Sequence, residues 1–170
     1  MAMNGLYILG TPIGNLEDMS PRGLETLRMV DFIAAEDTRV TRKLLSRYDI
    51  HKPMVSYYEH NLKSRGQEIV ARILAGESCA VVTDAGMPCI SDPGELLVAQ
   101  CAQAGIPVAA VPGPSAVTTA LALSGLPAGR FVFEGFLTVN RTGRNRQLEA
   151  LRTEERCLVF YEGPHKLLTT

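Results

Sequence analysis

Asp84 stands in the run Val81-Val82-Thr83-Asp84-Ala85-Gly86-Met87-Pro88-Cys89-Ile90-Ser91-Asp92-Pro93-Gly94, where a short apolar stretch gives way to a polar segment punctuated by glycine and proline. Carboxylates, hydroxyls and exposed backbone at that spacing can hold a small molecule, and glycine lets the chain approach it closely. Cys79-Ala80-Val81-Val82 reads as a buried strand and Pro93-Gly94-Glu95-Leu96-Leu97 begins a helical pattern. Asp84 therefore falls just beyond the carboxyl end of a strand, where open α/β sheets bind ligands. The competing reading makes Asp84, Ser91 and Asp92 turn and capping residues. For Asp92, with Pro93 at a first helical position, that reading is accepted. For the whole loop, so many restricted backbone positions favour function over a plain connection.

Two other loops have the same placement. Residues 10–15, Gly10-Thr11-Pro12-Ile13-Gly14-Asn15, follow the apolar run Leu6-Tyr7-Ile8-Leu9, and Pro112-Gly113-Pro114-Ser115 follows Val108-Ala109-Ala110-Val111. In a parallel sheet all three would gather on one edge. The first is not G-x-G-x-x-G, Pro12 would alter a phosphate cradle, and G-x-x-x-x-G-K-S/T is absent, so neither NAD nor ATP is favoured. The glycines suit close approach to an adenosine or amino-acid moiety, with Asp84 and Ser115 as polar contacts; turn formation is the rival role for Pro112 and Gly113.

The elements that must carry these loops alternate between strand and helix. Ser20-Pro21 opens a helix with Leu24, Leu27 and Met29 on its apolar side, and residues 31–35 form a strand ending at Glu36-Asp37-Thr38-Arg39. A basic helix containing Val40, Leu44 and Leu45 follows, then a strand at 54–57 and a helix with Ile69, Ile73 and Leu74 inward that stops at Ala75-Gly76. A helix at 95–104, a buried strand at 108–111 and a helix at 116–123 complete an α/β domain expected to span residues 1–124. The turn formers of 124–129 mark the boundary to a second domain, 125–170, with strands at 130–133 and 157–161 and a helix starting at Gly163-Pro164-His165. Two strands and helical fragments make a poor independent core, so the chain is expected to stop inside this second domain.

Composition narrows the class. With 170 residues, 46% hydrophobic and 21% charged, the chain can bury a core. No segment has the apolar length of a membrane span or the layout of a secretion signal, which makes the cytoplasm the default expectation. Cys79, Cys89, Cys101 and Cys157 have no C-x-x-C spacing, and His51, His60 and His165 form no metal pattern, so no metal site is expected. Cys79 and Cys101 read as small core residues. The net charge of -1 excludes a globally basic coat, yet Arg39, Arg42, Lys43, Arg47 and Lys52 cluster, as do Arg141, Arg144, Arg146, Arg152 and Arg156. Such clusters suit a polyanion or form solvated helical faces, and composition leaves the two readings level.

The sequence resembles the tetrapyrrole methylase superfamily and, within it, the ribosomal small subunit RNA (cytidine-2'-O)-methyltransferase family. The residues carrying the resemblance are Leu9-Gly10-Thr11-Pro12-Ile13-Gly14-Asn15-Leu16, Ala35-Glu36-Asp37-Thr38-Arg39, the 83–94 run and Val111-Pro112-Gly113-Pro114-Ser115-Ala116. Phe133-Glu134-Gly135-Phe136-Leu137 and Phe160-Tyr161-Glu162-Gly163-Pro164-His165 extend it. Thr138 stands where the family often has proline, and Gly163 replaces a common serine. The resemblance implies a two-domain class III methyltransferase fold, usually homodimeric, using S-adenosyl-L-methionine on a cytidine ribose in the decoding region of 16S rRNA within the 30S subunit. It implies cofactor contacts at Gly10, Pro12, Asp84, Ala85, Gly86, Ile90, Ser115 and Ala116. Glu36 becomes the first proton acceptor, Asp37 its orienter, and Arg39, Arg42, Lys43, Arg141 and Arg144 RNA contacts. Helix capping is the rival role for Glu36 and Asp37. A tetrapyrrole C-methyltransferase and a non-enzymatic RNA-binding or assembly module are the alternative functions.

Overall fold

The computed structural model describes residues 4–170. In chain order the elements are β1 (Leu6–Leu9), α1 (Pro21–Met29), β2 (Phe32–Ala35), α2 (Thr38–Arg47), β3 (Met54–Ser56), α3 (Leu62–Leu74), β4 (Cys79–Val82), α4 (Glu95–Gln103), β5 (Val108–Val111), α5 (Ala116–Leu123), β6 (Phe131–Phe136), α6 (Arg141–Ala150) and β7 (Cys157–Tyr161). They form two units, one ending at Ser115 and one running from Ala116 to Thr170. Helix α5 thus groups with the second unit, and the 124–129 turn lies inside that unit.

The first unit is an all-parallel sheet in the order β3-β2-β4-β1-β5. Its three central strands are buried on both faces, as strands sandwiched by crossover helices must be. Leu6, Phe32, Cys79 and Val81 pack with Ile69 and Ile73 of α3 and Leu97 and Cys101 of α4. The alternate residues Leu9, Ile33, Ala35, Ala80 and Val82 pack with Leu27 of α1 and Leu45 of α2. Helices α1 and α2 therefore cover one face and α3 and α4 the other. Both free thiols at Cys79 and Cys101 are core positions.

Local signals account for most helix ends. The Ser20 hydroxyl accepts from the Gly23 N–H at 3.0 Å, with Pro21 leading α1. Helix α3 closes at Gly76 (φ 103°) with the Glu77 N–H donating to the Arg72 carbonyl, and α4 closes at Gly105 (φ 69°) with the Ile106 N–H donating to Cys101. Helix α2 ends in the same manner, but its left-handed residue is Asp49 (φ 52°), with Ile50 N–H donating to Leu45.

Several expectations are corrected. Met29 and Leu74 are exposed rather than inward, because at about 100° per residue Met29 stands about 200° round α1 from buried Leu27 and Leu74 about 100° round α3 from buried Ile73. Strand β5 is a sheet edge paired only with β1, and Val108 is exposed. Asp31 precedes β2 and its carboxylate instead accepts from the Ser78 N–H and hydroxyl, both at 2.7 Å. Residues 164–169 form turns, not a helix. In the second unit β6 and β7 pair in parallel, with a register shift between Phe133 and Gly135, and β6 extends to Phe136.

Candidate active site at the carboxyl edge of the sheet

The chain leaves β1 toward β2 on one side and leaves β4 toward β5 on the other, although β1 and β4 are neighbours. The two connections part to opposite faces, α1 over one and α4 over the other, which opens a crevice above the carboxyl ends of these strands. The register places Leu9 level with Val111 and Ala35 level with Val82. Gly10, Glu36, Thr83 and Pro112 consequently enter their loops on one edge.

Backbone contacts lock these loops together. Thr11 and Gly86 exchange N–H···O bonds of 2.9 and 3.1 Å, and the Thr11 hydroxyl donates to the Thr83 carbonyl at 3.0 Å. A β-carbon on Gly10 would lie 2.7 Å from Gly113 Cα and 2.6 Å from Met87 Sδ, so two glycines are required for the loops after β1 and β5 to touch. Gly86 is needed for another reason: its φ is 87°, while the space for a β-carbon is ordinary. Gly10 and Pro12 are buried, whereas Asp84, Ala85 and Ile90 keep exposed surface. Ser115 closes the first unit and Ala116 opens α5.

The carboxylates meet across β2 and β4. The Asp37 N–H donates to Asp84 Oδ1 at 3.3 Å, and the Asp84 N–H donates to Glu36 Oε2 at 3.4 Å. Desolvation raises the Glu36 pKa, helped by the Asp84 and Asp37 charges and opposed by the Asp84 N–H. Asp84 is raised by the protein crowding its carboxyl and by Asp37, with the Asp37 N–H and Arg39 opposing. Asp37 behaves differently because hydrogen bonds from the Arg39 side chain and N–H hold it down to about 2. It caps α2, accepting from the Arg39 N–H at 2.7 Å, and pairs with the Arg39 guanidinium at 2.6 Å.

Asp92 does not cap a helix. The N-cap of α4 is Gly94, whose φ of 141° delays the helix past the Asp-Pro pair. The Asp92 carboxyl is instead pushed up to about 6 by burial and by the charges of Glu36 and Asp84. With Glu36, Glu59 and Glu95 it lines an acidic recess on the α3 side. Cys89 (φ 73°) and Ser91 (φ 61°) hold left-handed conformations in the same loop, a backbone cost that marks it as constrained.

On the α2 side lies an apolar cavity of about 220 Å³, walled by Pro12, Leu16, Val40, Thr41 and Leu44, with Thr83 and Asp84 contributing from the loop after β4 and Lys43 from α2. The Tyr48 hydroxyl donates to the Leu16 carbonyl and ties this wall to the end of α2. Arg42 is separated from Lys43: it lines another recess with Leu45, Ile50, His51, Lys52 and Met54. Arg141 and Arg144 belong to the second unit, where Arg144 lines a recess with Phe136, Leu137, Glu162 and Lys166. Thr83 and Asp92 were not singled out by sequence as ligand-facing groups. The order of strands gives Thr83 its place, and the delayed start of α4 gives Asp92 its own.

A family model of tetrapyrrole (corrin/porphyrin) methylases matches residues 5–170. The chain is 52% identical over 168 residues to a ribosomal RNA small subunit methyltransferase I of Synechocystis sp., covering 99% of the chain and 60% of that relative. It is 53% identical over 168 residues to the Thermotoga maritima protein of the same name, covering 99% of the chain and 75% of the relative. The chain thus spans about three-fifths of the Synechocystis protein's length. Among solved structures, a diphthine synthase aligns with TM-score 0.71 at 17% identity, covering 94% of this chain and 64% of that one. A uroporphyrin-III C-methyltransferase from Thermus thermophilus, complexed with S-adenosyl homocysteine, aligns with TM-score 0.64 at 20% identity, covering 95% and 71%. These two likenesses concern the fold. The match of the family model over nearly the whole chain, joined to half-identity with relatives of one name, establishes that the chain belongs to the tetrapyrrole methylases and, within them, to the ribosomal RNA small subunit methyltransferase I family.

Proposed function

We propose that the protein transfers a methyl group from S-adenosyl-L-methionine to the 2'-hydroxyl of a cytidine in the decoding region of 16S rRNA. The observation that carries this reading is the meeting of Glu36, Asp37 and Asp84 beside three interlocked loops at the β1–β4 crevice in a chain of this family. The residues fit the cofactor chemically. Carboxyls whose pKa values are raised by burial and by neighbouring negative charge are relieved by a cation, and the exposed Ile90 offers an apolar wall. Gly10, Pro12, Asp84, Ala85, Gly86, Ile90, Ser115 and Ala116 are the residues assigned to hold it. When bound, the cofactor supplies an electrophilic methyl on a cationic sulfur.

A ribose hydroxyl is a weak nucleophile, so alignment provides much of the rate and proton removal the remainder. Glu36 takes that proton. Its raised pKa makes it a stronger base than a solvated carboxylate. Asp37 positions Glu36 and Asp84 by fixing the start of α2, and Arg39, Arg42 and Lys43 contact RNA phosphates, as do Arg141 and Arg144 from the second unit. Phosphate contacts set register, and the 2'-hydroxyl distinguishes RNA from DNA. The test is transfer of labelled methyl by the full-length protein to unmodified 30S subunits and to naked 16S rRNA, followed by mapping of alkali-resistant linkages. Label on one cytidine 2'-oxygen is expected. No label on either RNA, with transfer to a tetrapyrrole, would overturn the reading.

A further inference from the structure

The apolar cavity between the β1 loop, α2 and the start of the β4 loop adjoins the proposed cofactor residues Pro12 and Asp84, and its aliphatic walls on α2 are not taken up by that site. Its walls are Pro12, Leu16, Val40 and Leu44, and its volume is about 220 Å³. Sites that enclose whole drug-sized ligands run to about 300–1,000 Å³. This one has room for a single planar ring held between aliphatic side chains.

Thr83 gives the cavity a polar feature. The residue is only 2% exposed, and its hydroxyl has no hydrogen-bond partner among the described residues, a costly state for a buried polar group. The neighbouring Thr11 does not relieve it, because its hydroxyl is committed to the Thr83 carbonyl at 3.0 Å. The hydroxyl oxygen has less than 1 Å² of accessible surface, and a turn of the Thr83 side chain, which lines the cavity, brings it to a ligand edge bearing a donor or acceptor.

Lys43 lines the same cavity, and Arg39, about one turn earlier on the same helix, is highly exposed. The Asp84 carboxylate lines the cavity as well and offsets Lys43 within it, while the exposed basic face of α2 at its rim suits a ring attached to a phosphodiester chain. Enzymes that modify single nucleotides unstack the target and hold its base between apolar side chains while reading its polar edge. We infer that this cavity receives the unstacked base of the nucleotide being methylated, with Pro12, Leu16, Val40 and Leu44 gripping its faces and the Thr83 hydroxyl reading its edge. The inference rests on the RNA-methyltransferase reading and adds the substrate subsite to it.

The test uses the full-length protein with Leu44→Trp, which fills the cavity, and Thr83→Val, which removes the hydroxyl with little change of shape. Three quantities are read: S-adenosylmethionine affinity by calorimetry, methyl transfer to unmodified 30S subunits, and transfer to RNA made abasic at the mapped nucleotide. Leu44→Trp is expected to bind cofactor within about twofold of wild type and to lose on the order of 100-fold in transfer. Thr83→Val is expected to lose about tenfold on intact RNA and to show a smaller intact-to-abasic difference than wild type. Wild-type transfer rates in a folded Leu44→Trp protein would overturn the inference. So would a matching loss of cofactor affinity, which would make the cavity part of the cofactor site. Should Leu44→Trp not fold, Thr83→Val decides: an unchanged rate and an unchanged intact-to-abasic difference refute the base pocket. If the wild type labels no RNA, the RNA reading itself fails and the inference falls with it.

Discussion

Asp92 shows how one carboxyl links stability to ligand binding. The folded protein holds its proton up to about pH 6, whereas an unfolded aspartate releases it near about 3.9. Between those values the folded state binds more protons, so this group's contribution to stability falls as pH rises through the window. Asp92→Asn is therefore expected to raise the melting temperature at pH 7.5 and to match wild type near pH 4, as followed by circular dichroism. Above about pH 6 the ionised group adds to the negative field of Glu36 and Asp84. Affinity for the cationic cofactor is expected to weaken as pH falls through 6, and calorimetry on Asp92→Asn should show a flatter dependence. The sequence concealed this residue because Asp-Pro is a helix-start signature, and only Gly94 at φ 141° reveals that the helix begins later. Thr83 was concealed more completely, since an unpartnered hydroxyl is a tertiary fact with no sequence mark. Asp84 was legible because a polar residue directly after a buried strand has few places to go.

At the scale of elements, the two loop glycines fail in different ways when altered. Gly10→Ala forces a methyl to within 2.8 Å of the Gly113 backbone and should cost about 1–3 kcal/mol through overpacking. Gly86→Ala meets no close neighbour but must hold φ 87°, at a cost of about 1–2 kcal/mol from the backbone alone. Urea unfolding of the full-length variants measures both. The double variant Gly10→Ala/Gly113→Ala should be strongly non-additive, because each methyl competes for the same gap. The convergence of these loops was readable from strand–loop alternation, and the closures of α3 and α4 were readable from Gly76 and Gly105. The closure of α2 was not, because Asp49 rather than glycine takes the left-handed position. The basic run of α2 misled in one respect: adjacent residues on a helix of 3.6 residues per turn point about 100° apart, so Arg42 and Lys43 line different recesses.

For the whole molecule, the first unit carries a five-stranded sheet covered on both faces, and the second carries two paired strands. Two strands fall short of an independently stable sheet. Residues 1–115 expressed alone are expected to unfold cooperatively, and residues 116–170 alone to show no cooperative transition by calorimetry. Doubly wound architecture followed from the order of apolar runs, but the strand order 3-2-4-1-5 did not, because nothing local tells β4 to insert between β2 and β1. That insertion creates the crevice and sets Asp84 beside Glu36 and Asp37. The central claim, that this edge performs methyl transfer to RNA, is tested most directly by single-turnover transfer of labelled methyl to unmodified 30S subunits by full-length wild-type and Asp84→Asn proteins. The account predicts label on the wild-type reaction's RNA, a loss on the order of 100-fold for Asp84→Asn, and RNA affinity unchanged within about twofold. An Asp84→Asn protein that transfers methyl at the wild-type rate would contradict it.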